Sequence, residues 1–149
     1  MYKKILSLCT IMSFLISNAQ DIKKESLFNG TLNGEVIQIY IQSFQQECTG
    51  EIYYKSIVRY LDYKINQKIW RKFQVFANDN NGYILIDDAW NSGRYSNYIF
   101  IEQDGRYLNG FIKNEKLGQK TINLEKSIEI KDFSNYREKM EEFDNTDDC

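Results

Sequence analysis

Between residues 27 and 126, apolar and polar side chains alternate with a period of two, and Gly, Asn and Asp interrupt the alternation at short intervals. Leu27 to Leu32 reads as a first strand, followed by the two-residue hairpin turn Asn33-Gly34. In Glu35 to Phe44, Ile37, Ile39 and Ile41 share one face, and Val36, Tyr40 and Phe44 the other. Thr49-Gly50 opens Glu51 to Lys55; Ile57 to Ile65 comes next, with Ile57, Leu61, Tyr63 and Ile65 in phase. Ile69 to Ala77 aligns Phe73, Val75 and Ala77, and the turn-rich Asn78-Asp79-Asn80-Asn81-Gly82 leads into Tyr83 to Asp88. Arg94 to Gln103, Tyr107 to Lys113 and Lys120 to Glu125 complete the series. Asp104-Gly105 is a further hairpin signal, with both central residues expected at positive φ.

Connections this short cannot cross over between parallel strands, so the pattern predicts an all-β antiparallel meander of about eight or nine strands. A closed barrel hides the edge strands and is the preferred form, with a β-sandwich as the alternative. Beyond residue 126 the period changes. Phe133, Tyr136, Met140 and Phe143 form one helical stripe, with Asp132 or Ser134 available to cap it. The stripe is expected to lie against the sheet or to plug one end of a barrel. The predicted layout is a leader over 1–19, a short linker over 20–26, the meander over 27–126, and a helix with acidic tail over 127–149.

The leader reads as a secretory signal peptide: Lys3 and Lys4, an apolar run from Ile5 to Ile16, and Ser17-Asn18-Ala19 as a cleavage site. The run is shorter than the roughly 20 residues of a membrane-spanning helix, and no later segment is apolar enough to span. The mature protein is therefore expected to be exported, periplasmic or extracellular. Cleavage leaves Cys48 and Cys149, which an oxidising compartment would join in a disulfide. It also leaves 17 basic against 21 acidic side chains, with eight acids between Glu129 and Cys149. No basic stripe suits a phosphate backbone, so nucleic acid is not an expected partner.

Chemistry is sparse in this sequence. There is no His, which removes imidazole bases and His metal sites, and no cofactor or metal is expected. Asp79 to Trp90 fails the spacing of a calcium loop, because Trp90 stands where a bidentate Glu is needed. Asp87 and Asp88 point to opposite faces of a strand, so a carboxylate pair would have to join Asp87 to Asp62 or Glu102. Cys48 lacks an activating partner. The expected activity is non-enzymatic.

Aromatic residues are the one surplus, at 15% of the chain. Trp70 and Tyr40 fall out of phase with their aliphatic neighbours, and Trp90, Arg94, Tyr95 and Tyr98 surround one loop. Aromatic residues beside an Arg are what a protein interface or a sugar-stacking platform uses. Trp70, Trp90, Arg94, Tyr95 and Tyr98 are accordingly the candidate binding residues, for a protein or cell-envelope glycan partner.

The order of these pieces resembles a group of small exported bacterial β-meander proteins. The likeness rests on Ile37-Gln38-Ile39-Tyr40-Ile41, Gly50-Glu51-Ile52-Tyr53-Tyr54-Lys55, Ser92-Gly93-Arg94-Tyr95, and Leu108-Asn109-Gly110-Phe111 before Ile122-Asn123-Leu124. It covers residues 35–125 and implies the meander fold. Phe111 stands where that group tends to carry Trp, and the acidic helical tail is an addition. Ser92-Gly93-Arg94-Tyr95 is also similar to the Ser-Gly-x-x-Tyr loop of periplasmic lysozyme inhibitors, one residue short in spacing. That likeness implies the alternative function, an inhibitor or immunity protein against a secreted hydrolase.

Overall fold

The computed structural model describes residues 21–45, 49–62, 65–78, 81–87, 97–114, 118–128 and 130–144. Eight strands form one closed antiparallel barrel in sequence order: β1 Asp21–Leu32, β2 Glu35–Gln45, β3 Ile52–Asp62, β4 Gln67–Ala77, β5 Gly82–Asp87, β6 Asn97–Asp104, β7 Tyr107–Asn114 and β8 Gly118–Lys126. Among the described residues one helix, α1, spans Ser134–Asp144. The barrel closes where Phe28, Asn29 and Gly30 of β1 pair with Lys126, Glu125 and Leu124 of β8. That pairing decides for the barrel over the sandwich.

Three boundaries differ from the sequence pattern. β1 begins at Asp21, so residues 21–26, read as a linker, belong to the wall. Their pairing with β2 runs from Asp21 opposite Gln45, with a register shift between Ile22 and Lys24. The segments 51–55 and 57–65 are one strand, Ile52–Asp62, because Ser56 is a buried interior position and no turn separates Lys55 from Ile57. Its inward row is therefore Tyr54, Ser56, Val58, Tyr60 and Asp62, while Ile57 points outward. The β6–β7 turn is centred on Gly105-Arg106, since Asp104 pairs with Tyr107. Of these two residues only Gly105 has positive φ, at 57°, which matches a turn with glycine at its first central position.

The inward rows fill the barrel. Phe28, Ile37, Ile39, Val58, Phe73, Leu85, Ile99, Ile101, Leu108, Ile112, Ile122 and Leu124 form one core cluster and are all buried. An eight-stranded barrel is just wide enough for its own side chains to pack it solid. Outward positions over β8 are polar (Gln119, Thr121, Asn123 and Glu125), and between β1 and β2 Gln38 donates to Asn29 across the strands at 2.8 Å. No helix among the described residues is long and apolar enough to cross a membrane.

The helix lies against the outer wall, the first of the two placements its stripe allowed. Phe133, Tyr136, Met140 and Phe143 cover Leu27, Tyr40, Ile57 and Trp70, which come from four consecutive strands. Asp132 caps the start, accepting from the Ser134 backbone N–H at 2.9 Å. Tyr40 is completely buried, its ring 5.4 Å from Tyr136 and 5.9 Å from Phe133. Its hydroxyl donates to Glu25, and Arg137 donates to both oxygens of the same carboxylate, at 2.8 and 2.5 Å.

Arg137, and then Tyr40, hold the Glu25 carboxyl below its ordinary value against the opposing effect of burial. A depressed folded value means that the clamp contributes fully above about pH 4.5, the ordinary glutamate value, and is lost as pH falls through the folded value. Glu25→Gln should therefore lower stability by about 1–2 kcal/mol at pH 7 and flatten the fall in melting temperature between neutral and acid pH. Parallel thermal melts of the two proteins check this; curves that stay parallel down to acid pH would remove the clamp from the account.

Candidate functional site

The opposite outer wall carries a second aromatic face. Register alone builds it. Phe76 of β4 stands across from Ile84 of β5, Ile84 from Phe100 of β6, and Phe100 from Phe111 of β7. One step along, Ile86 stands across from Tyr98, and Tyr98 from Lys113. All six apolar side chains occupy the phase opposite to the inward row, so two adjacent levels of the barrel present them on one face.

No described residue covers this face, whereas the helix covers the other. Phe76 is 52% and Ile84 40% exposed, and Ile86, Tyr98, Phe100 and Phe111 are half-buried against one another. Phe100 and Phe111 stack at 5.5 Å with planes 22° apart, and Tyr98 meets the edge of Phe111 at 6.2 Å. The Lys113 ammonium sits over the Tyr98 ring, 5.8 Å from its centre. Glu102 and Asn109, paired across β6 and β7, border the stripe on one side, with Gln74 and Lys113 on the other. An apolar centre with a polar rim is the anatomy of a protein interface.

Of the residues singled out from the sequence, Tyr98 belongs to this face. Trp70 is on the other: half-buried, its ring is edge-on to Tyr136 at 5.9 Å, in the helix contact. Tyr40, out of phase for the same reason, is core. Trp90, Arg94 and Tyr95 lie outside the described residues, as do Cys48 and Cys149. The sequence reading missed Phe76, Ile84, Phe100 and Phe111. Each stands one step from an inward residue, and only the register of four strands aligns them.

The acids fall into two places. Asp62 and Asp87 are buried at one end of the barrel, where Asp62 accepts from Arg71 at 2.9 Å. Tyr60 and Arg71 both lie in the field of the two carboxylates, and burial first, then Asp87, pushes the Tyr60 phenol well above its ordinary value. Glu102 is exposed on the outer wall toward the other end. The group Asp62, Asp87 and Glu102 is thus split, and the Asp62–Arg71 pair forms part of the barrel's packing. Among the described residues no cluster of acidic or cysteine side chains could hold a metal.

The fold and its two faces define a class: an eight-stranded meander barrel with one aromatic face covered by its own helix and another that no described residue covers. No protein-family model, curated protein or solved structure matches the chain.

Proposed function

We propose that this is an exported, non-enzymatic binding protein that engages a protein partner through the open wall of β4 to β7. The observation that carries the reading is the continuous row Phe76, Ile84, Phe100 and Phe111, which nothing among the described residues covers. The leader read over residues 1–19 and the resemblance to exported meander proteins are what support export in this reading. In that compartment we expect Cys48 and Cys149 to be bridged. A flat face with two stacked rings, a T-shaped third and interleaved isoleucines favours protein over glycan, because sugar recognition also needs a dense set of polar groups beside the rings.

The test is a comparison of capture. Mature protein and the double variant Phe100→Ser/Phe111→Ser are immobilised and exposed to the same envelope extract. The wild type should enrich a defined protein that the variant loses at least about tenfold, a drop equivalent to about 1.4 kcal/mol. The two should melt within a few degrees of each other. Equal capture by the variant, or no specific capture by the wild type, contradicts the reading. If the captured protein is a hydrolase whose activity falls on binding, the partner is a secreted enzyme and the inhibitor form of the function holds.

A further inference from the structure

A second site lies at the barrel end where β1 begins and β2 ends. The inward row that supplies Ile37, Ile39 and Ile41 continues to Ser43, and on β1 the row through Phe28 continues to Ser26 and Lys24. Small serines where isoleucines stand deeper in the barrel leave the interior short of filling. The result is a mouth walled by Tyr54, Tyr83 and Gln103, with Phe28 and Ile41 at its floor. Tyr54 and Tyr83 meet edge to face at 5.5 Å.

Size sets the first limit on a ligand. The enclosed part is about 20 Å³, room for a water-sized group. The mouth can swallow a tip and support the rest of a ligand at its rim.

Chemistry sets the second. The floor pairs apolar Phe28 and Ile41 with the hydroxyls of Ser26 and Ser43, both buried residues. In the row below, Ser56 is across from Ile41 and completely buried, and its Oγ has no hydrogen-bond partner. A purely apolar tip would leave the Ser26 and Ser43 hydroxyls that line the mouth desolvated and unpaired, which is costly. An N-acyl group meets both demands, with its methyl on the apolar side and its amide on the hydroxyls. At the rim the lining carries one cation, Lys24, and no acid, so it favours an anion.

We propose that the mouth binds the end of a ligand carrying an N-acetyl group and a carboxylate. Lys24 holds the carboxylate, the acetyl methyl enters the floor with its amide at Ser26 and Ser43, and Tyr54 and Tyr83 support the C–H surface at the rim. Acidic amino sugars and acylated peptide ends share this chemistry. The site is separate from the outer wall.

The experiment is an amide-resolved NMR titration of the mature protein with four probes. N-acetylmuramic acid presents the pair on a sugar, and N-acetylalanine presents it on an amino acid. N-acetylglucosamine lacks the acid and glucuronic acid lacks the acyl group. Saturable shifts at Ser26, Ser43, Tyr54 and Tyr83 with either of the first two, at least about fivefold tighter than with the latter two, support the proposal and identify the source. Lys24→Gln, at an exposed rim position, should weaken the binding probe about fivefold and leave the melting temperature unchanged. Absence of shifts at the mouth with both bifunctional probes overturns the proposal. So does equal binding of all four, or indifference to Lys24→Gln.

Discussion

Replacing Tyr40 by alanine should cost about 3–5 kcal/mol of stability, the range for removing a large buried aromatic. Tyr40 points outward from β2, yet none of it is exposed. Its ring is stacked on Tyr136, within 5.9 Å of Phe133, and in the same cluster as Leu27, Ile57 and Met140. Truncation would open a cavity between wall and helix that neither rigid element can close. It would also remove one of two donors to Glu25, leaving Arg137 as the partner. Tyr40→Phe separates these effects: it keeps the ring and should cost only about 1 kcal/mol for the lost hydrogen bond. Urea unfolding of the three proteins measures both. A loss below about 1 kcal/mol for Tyr40→Ala would mean that the helix does not pack on this wall.

Gly110→Ala should be nearly as damaging, at about 3 kcal/mol or more. A Cβ at this position would lie 1.9 Å from the Phe100 carbonyl oxygen and 2.9 Å from the Ile101 Cα. Both contacts are to backbone of the neighbouring strand β6, so no side-chain rotation relieves them. The close approach of β7 to β6 is also what brings Phe111 into its stack with Phe100. The control is Gly105→Ala, where a Cβ meets nothing within 4 Å but φ is 57°. That change should cost only about 1–2 kcal/mol, the penalty of the left-handed region. Thermal unfolding of the two variants ranks them; an equal or smaller loss for Gly110→Ala would mean that the strands do not approach as closely as described.

These two sites show what was legible in the sequence. Alternation located the strands, and the Ile37, Ile39 and Ile41 row is indeed core. Asn33 and Gly34, at φ of 52° and 81°, form the expected hairpin turn. The stripe Phe133, Tyr136, Met140 and Phe143 reads directly onto its contacts. Alternation could not say which out-of-phase aromatics are covered. Tyr40 and Phe100 carry the same local signal, one aromatic beside two inward isoleucines. They differ because the helix crosses β1 to β4 and not β5 to β7, a fact of tertiary packing. The start of β1 was illegible for another reason: Lys23, Lys24 and Glu25 give no alternation, yet Lys24 completes the mouth and Glu25 the helix clamp. The mouth left one trace, Ser26 and Ser43, where the inward rows of β1 and β2 turn from apolar to polar.

Hydroxyl-radical footprinting read by mass spectrometry tests the two-face account most directly. In the free mature protein Phe76 should oxidise readily, with Phe100 and Phe111 intermediate and Tyr40 protected; adding the partner captured from the envelope should protect Phe76, Phe100 and Phe111. Similar oxidation of Tyr40 and Phe76 in the free protein, or partner protection that leaves Phe76, Phe100 and Phe111 unchanged, would contradict it.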